Sequence, residues 1–259
     1  MVKNKLSEKT GIKPFESVSI SKTVITGNKG KKVELFREKK SWFVGSKKWP
    51  ADEDRITRLK NGIKNINLED IISSRKETYK DFEVNKSSAV QIEIITEKGG
   101  KEKIFVGKRS PEYNKTYIRI NNDPSVYMAE SINRGIVQQE KFYYKDKILI
   151  RIPRQDIEEV KISKDKDSYT FQKDTTTWNN FTNKLKNLKA SEFIELNENL
   201  ENKFKSPFIN IEVISFEDIH TLYPVIKSED KYYAKTSDEI VYVLRKNGVE
   251  NLIDFIENK

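Results

Sequence analysis

His220 is the single histidine of this 259-residue chain, set in Glu217-Asp218-Ile219-His220-Thr221. An imidazole beside carboxylates could serve as a general base, but a Ser/His/Asp arrangement would rest on this one residue, and a His-rich zinc site is excluded. Its place in the chain is a turn between two expected strands, so it reads as an ordinary exposed residue. Cysteine is absent, which removes disulfides, thiolate metal sites and a cysteine nucleophile.

Carboxylates are the next candidates, because paired acids can hydrolyse glycosidic and related bonds. Asp and Glu total 40, and that abundance removes any specificity from their pairing. Glu93 and Glu212 alternate with apolar neighbours and so should face solvent from a sheet. Asp52 precedes a helical stripe, which makes it an N-cap. Asp165-Lys166-Asp167 resembles the start of a calcium loop, but Thr170 and Thr176 stand where that loop needs Gly and Glu. With ten glycines and neither Gly-x-x-x-x-Gly-Lys nor Gly-x-Gly-x-x-Gly, the chain has no nucleotide-binding loop motif. Phe142-Tyr143-Tyr144-Lys145 and Lys231-Tyr232-Tyr233-Ala234-Lys235 mix rings with charge, yet adjacent strand residues point to opposite faces and cannot build one stacking platform. No residue is assigned a catalytic, cofactor-binding or metal-ligating role, and no cofactor is expected.

The elements that would position such residues occur twice. Phe15-Glu-Ser-Val-Ser-Ile-Ser-Lys22 returns as Ile157-Glu-Glu-Val-Lys-Ile-Ser-Lys164, and further blocks follow in order. Ile63 to Ile72 matches Leu185 to Ile194 without a gap, Val90 to Ile95 matches Ile209 to Ile214, and Tyr117 to Tyr127 matches Tyr232 to Tyr242, with Asp123 on Asp238. Strands running into Trp42 and Trp178 make those residues expected equivalents. Ordered echoes of apolar parity and turn chemistry are the mark of a duplicated unit.

Within the first copy, alternation predicts a meander around Val18, Val33 and Trp42, then a helix in which Ile56, Leu59, Ile63 and Ile66 recur at steps of three and four. Strands follow at 89–96, 103–107, 115–120 and 125–128, with turns at Gly99-Gly100 and Asn121-Asn122-Asp123-Pro124, and a short helix at 129–139. The second copy is a trimmed version with helices at 179–189 and 248–257. The expected fold is α+β: two tandem repeats of a mainly antiparallel sheet with one long and one short helix each. Residues 1–14 form a flexible N-terminal segment, 15–150 the first repeat with the connector Lys147 to Pro153, and 151–259 the second.

Charge separates the halves. Residues 1–150 carry 32 Lys or Arg against 20 Asp or Glu, a net of +12, whereas residues 151–259 carry 17 against 20, a net of −3. A basic half invites an anionic partner such as a lipid surface, a nucleic acid or an acidic polymer. Lys outnumbers Arg 39 to 10, a bias of genomic composition. No run approaches the ~18 apolar residues of a membrane helix.

Trp42 closing a strand, the Pro50-Ala51-Asp52 helix start, Val106-Gly107-Lys108, Tyr117-Ile118-Arg119, Ser125-Val126-Tyr127 and a connector into Asp156-Ile157 together resemble the bacterial family of domain of unknown function 4340. The resemblance covers nearly the whole chain. It implies a duplicated α+β unit held outside the cytoplasm behind an N-terminal anchor helix, often beside gliding-motility-type ABC transporter components, and it carries no catalytic residue. Met1 to Pro14 is polar and Lys-rich and is not that anchor. The expected function is a non-enzymatic extracytoplasmic binding or scaffold module of a membrane-associated complex. The alternatives are a carboxylate-dependent hydrolase with its site between the repeats, and a nucleic-acid or anionic-polymer binder acting through the basic first half.

Overall fold

The computed structural model describes residues 13–27, 30–137, 140–173, 175–216, 219–236 and 240–258. The expected N-terminal segment, apart from Lys13 and Pro14, and Asp238 lie outside the described residues. The chain divides into two compact units, one ending at Asp146 and one beginning at Lys147.

The first unit runs β1 (Ile20–Thr26), β2 (Lys32–Glu38), β3 (Ser41–Val44), β4 (Trp49–Pro50), α1 (Glu53–Lys64), β5 (Asn67–Ser73), a 3-10 turn (Lys76–Tyr79), β6 (Val90–Thr96), β7 (Lys101–Arg109), β8 (Thr116–Ile120), β9 (Val126–Glu130) and α2 (Lys141–Tyr144). Its antiparallel sheet is ordered β4-β3-β2-β1-β6-β7-β8-β9-β5. Asp52 caps α1 by accepting from the Arg55 N–H, and Glu53 and Asp54 place negative charge at the positive end of the helix. The apolar stripe Ile56, Leu59, Ile63 and Ile66 is wholly buried against Ile25, Ile92, Ile94, Ile104 and Ile118 of the sheet. Period-two alternation leaves the other sheet face to a smaller cluster. There Val84, Ala89, Phe105 and Val126 pack with Tyr79, Phe82 and Tyr117.

The strap that covers this second face, residues 76–89, is tied down at three points. Arg134 donates to the Ser88 carbonyl at 2.8 Å and pairs with Glu83 at 2.7 Å. Tyr79 Oη donates to the Pro124 carbonyl at 2.9 Å. Gly107 explains itself at the third: a Cβ there would lie 2.2 Å from the Phe82 carbonyl oxygen and 2.9 Å from that of Tyr117. Only glycine lets strap and strand approach so closely.

The second unit runs β10 (Ile157–Lys164), β11 (Asp167–Gln172), α3 (Trp178–Lys186), β12 (Ala190–Glu195), α4 (Glu198–Phe204), β13 (Ile209–Ser215), β14 (Ile219–Ser228), β15 (Lys231–Lys235), β16 (Ile240–Leu244) and α5 (Lys246–Glu257). Its sheet is ordered β11-β10-β13-β14-β15-β16-β12. Phe171 and Phe181 stack at 3.7 Å between ring centroids, with Phe255 of α5 beside them. On the other face Leu200 and Phe204 of α4 cover Ile226 and Val241. Lys147–Pro153, expected as a connector with the first repeat, begins this unit, because Leu149 N–H bonds the Leu188 carbonyl and Ala190 N–H bonds that of Lys147.

Both units are therefore antiparallel sheets with helices, an α+β architecture. Several details differ from expectation. Residues 67–73 and 190–195 are strands at sheet edges, α4 is an additional helix, and the segment expected as a helix over 129–139 instead ends β9 and turns over its described residues 129–137, with 138 and 139 outside the described residues. Trp42 and Trp178 are both buried but are not equivalent: Trp42 lies in β3, whereas Trp178 opens α3. Lys173–Thr177 alone separates β11 from α3, which leaves no room for counterparts of β3 and β4. In the gapless match of Ile63–Ile72 with Leu185–Ile194, Trp178 stands where Ile56 stands. The opening echo also slips. Ile25 pairs with Ile92 and Ile162 with Ile211, and counted back from these pairs Ile157 lines up with Ile20 and not with Phe15.

Two substitutions test this packing. Gly107→Ala should destabilise the first unit by about 2 kcal/mol, because the new methyl meets backbone that cannot swing aside. Trp178→Ala should cost roughly 3–5 kcal/mol through the cavity it leaves. Urea unfolding followed by circular dichroism measures both, and a loss below about 0.5 kcal/mol for either would mean the site is not packed as described.

Candidate functional site

The residues weighed for chemistry are dispersed. His220 lies inside β14, paired with Ile214, and not in a turn; its Nδ1 is 2.7 Å from Glu212 Oε1 on the solvent face. Glu93 faces solvent likewise and pairs with Lys103 at 3.5 Å. Asp52 is the helix cap. Asp165 sits in the β10–β11 turn, and no group of three His, Cys, Asp or Glu among the described residues could hold a metal. The aromatic runs are spent on packing: Tyr144 and Tyr232 are buried, and Tyr143 lies under the Arg55 guanidinium at 4.3 Å.

The arrangement that does converge was not singled out from the sequence. It is a groove of about 520 Å³ on the outer face of the first sheet, lined by Lys86, Glu93, Lys101, Glu102, Lys103, Phe105, Arg119, Asn121 and Asn122. Strand pairing builds it. Phe105 of β7 lies directly across from Arg119 of β8, and Glu93 of β6 across from Lys103, so period-two alternation puts all four side chains on one face.

Asn121 is its hub. It adopts a left-handed conformation at φ 50°, which Asn tolerates better than most residues. Its N–H bonds the Lys103 carbonyl at 2.7 Å, and its Oδ1 accepts from the Lys103 N–H at 2.6 Å. Its amide nitrogen bonds Glu102, and its carbonyl accepts from Arg119 Nη1 at 2.9 Å. One turn residue thus clamps the start of β7 and the guanidinium together.

Arg119 is 8% exposed and lies against two rings, with its Cζ 3.7 Å from the Phe105 centroid and 4.8 Å from that of Tyr79. Its Nε is buried and meets no acceptor among the described residues, and no carboxylate there lies within ion-pair distance. Burial lowers its pKa, a tendency that Tyr79 and Asp123 oppose through charge. A desolvated guanidinium held against two rings, with no carboxylate among the described residues in ion-pair contact, is arranged to receive an anion. Only one sequence signal pointed there: in a chain biased 39 to 10 toward lysine, an arginine inside a strand goes against composition.

The second sheet has a related but weaker feature. Ile118 pairs with Tyr127 and Ala234 with Tyr242, one residue out of step with the match of Tyr117 to Tyr232, and the Nζ of Lys235, next after Ala234, lies 5.3 Å over Phe204. Lys235 is half-exposed and lacks the double aromatic cover.

Lys145 is a second perturbed cation. Half-burial, then the like charge of Lys141, pull its pKa down to about 8, although the Trp49 ring 3.7 Å from Nζ favours the charged form. Between about pH 8 and the ordinary lysine pKa of about 10.4, the unfolded chain holds the proton and the folded chain releases it, so stability should rise with pH across that window. Lys145→Met should lose the rise. Equal pH dependence of unfolding in both proteins would place this amine in water.

Among solved structures, the inhibitor of motility (MotI/DgrA) of Bacillus subtilis aligns over 93% of this chain and 96% of its own, at 10% identity and a TM-score of 0.17. A score that low carries no argument about fold or function. No curated protein matches. The sequence profile of the family described as "Domain of unknown function (DUF4340)" matches residues 42–208, a span that includes every residue of the groove. The chain belongs to this DUF4340 family.

Proposed function

We propose that this chain is a non-catalytic binding or scaffold module of the cell envelope, built from two copies of one α+β unit, whose first unit recognises an anionic group. The duplication is supported by strand order: with β3 and β4 set aside, each sheet places its first two strands, its closing meander and the strand after its helix in the same sequence of positions. Pairing supports it too, since Val90 faces Val106 as Ile209 faces Val225, and Leu68 faces Ala129 as Ala190 faces Leu244.

Attachment to a membrane complex of ABC-transporter type rests on the family resemblance. The net +12 of residues 1–150 favours a setting beside acidic lipid or another anionic surface. Among the described residues no helix is long and apolar enough to cross a membrane, so on this reading the unit meets the surface from outside.

The observation that carries the anionic reading is Arg119, buried against two rings and, among the described residues, without a carboxylate in ion-pair contact, in a groove rimmed by lysines. Removing one partner from a buried charge is costly, and a charge that starts without one gains when an anion arrives.

Nuclear magnetic resonance titration with sulfate and with citrate at low ionic strength tests this. The amides of Lys101, Lys103, Arg119 and Asn121 should move, with binding that weakens as salt rises and falls about tenfold or more in Arg119→Ala. Shifts scattered over the lysine surface, unchanged in the variant, would sink the reading.

A further inference from the structure

Given that reading of the groove as an anion site, its donors also say which anion fits. We propose that the Arg119 groove is a site for a phosphoryl dianion, the terminal phosphate of a monoester, in preference to a carboxylate.

The guanidinium has committed one terminal nitrogen to the Asn121 carbonyl at 2.9 Å. The opposite edge, Nε with the neighbouring nitrogen, is a two-pronged donor, and its Nε–H lacks an acceptor among the described residues. Two oxygens of either anion satisfy such a fork. A carboxylate then keeps only the outer lone pairs of those same two oxygens. Lys86 and Lys101, both exposed and lacking a carboxylate partner among the described residues, line the same groove and would find no oxygen free of the fork. A phosphate monoester has a third terminal oxygen to meet them.

Charge gives the same answer. Four cations, Lys86, Lys101, Lys103 and Arg119, face two carboxylates, Glu93 and Glu102. Glu93 is engaged by Lys103 at 3.5 Å, and Glu102 by the Asn121 amide. The uncompensated charge matches the roughly −1.5 to −2 of a phosphate monoester near neutral pH, and a lone carboxylate would neutralise only part of it. Volume completes the case. About 520 Å³ exceeds the needs of a bare ion and lies within the range of small-ligand sites, so the phosphate arrives attached to an organic body. Phe105 offers that body one apolar wall.

The same chemistry could be a soluble phosphate ester or the headgroup of a phosphatidate-type lipid. Calorimetric titration of the full chain should use glycerol phosphate, inorganic phosphate, acetate and the dianion malonate, alongside sedimentation with vesicles containing phosphatidic acid. Glycerol phosphate should bind about tenfold more tightly than acetate or malonate. Arg119→Lys should lose about tenfold by forfeiting the fork, with the circular dichroism spectrum unchanged. The double variant Lys86→Gln/Lys101→Gln lies on the exposed rim and cannot disturb the core, so it should weaken phosphate about threefold and acetate little.

Vesicle binding that glycerol phosphate displaces would support the site with a lipid source. Soluble binding without vesicle binding would support it with a free ester. Malonate or acetate binding as tightly as phosphate would overturn the phosphate assignment and leave the anion site standing. No binding by any probe would overturn both.

Discussion

The pairing of β1 with β6 holds the first unit together. It joins strands separated by the whole of β2 through β5 and α1, so the chain must close a long loop before a single ladder bond forms. What repays that closure is the apolar face the ladder completes, Ile25 beside Ile92 over the stripe of α1. The second unit solves the same problem with β10 on β13. Each closing meander hangs from this ladder, and in the first unit the meander is what carries Phe105 and Arg119 to the outer face.

At Arg119 three effects compete. Desolvation opposes the charge, the two ring faces favour it, and the Asn121 carbonyl satisfies part of its hydrogen-bonding capacity. Ring contact of the kind seen for Lys235 over Phe204 explains why a cation can sit on an aromatic cover, but not why one should be buried with a donor unpaired.

Much of the fold was legible because it follows from period. The stripe at Ile56, Leu59, Ile63 and Ile66 and the alternation in Val90–Thr96 face the core as their spacing requires, and Asn121 takes the left-handed turn that its composition suggested. β5 escaped because Asn67-Leu68-Glu69-Asp70 carries weak strand formers, pairs on one side only and is broken by two register shifts. Trp178 has the bulk and β preference of a strand aromatic, but at steps of three and four with Phe181 and Leu185 it belongs to a helix stripe. The groove was illegible for a different reason. Its members come from β6, β7, β8, the turn after β8 and the strap, and nothing local in any of them announces the others.

The placement of the tryptophans has an optical consequence. The chain has three, with Trp42 and Trp49 in the first unit and Trp178 alone in the second. Trp42 and Trp178 are both held away from solvent, so their emission should shift to longer wavelength when their own unit opens. Replacing Trp178 by Phe would silence the second unit and leave the light of the first. The fluorescence of the unlabelled protein can therefore report whether the two units melt together or one after the other.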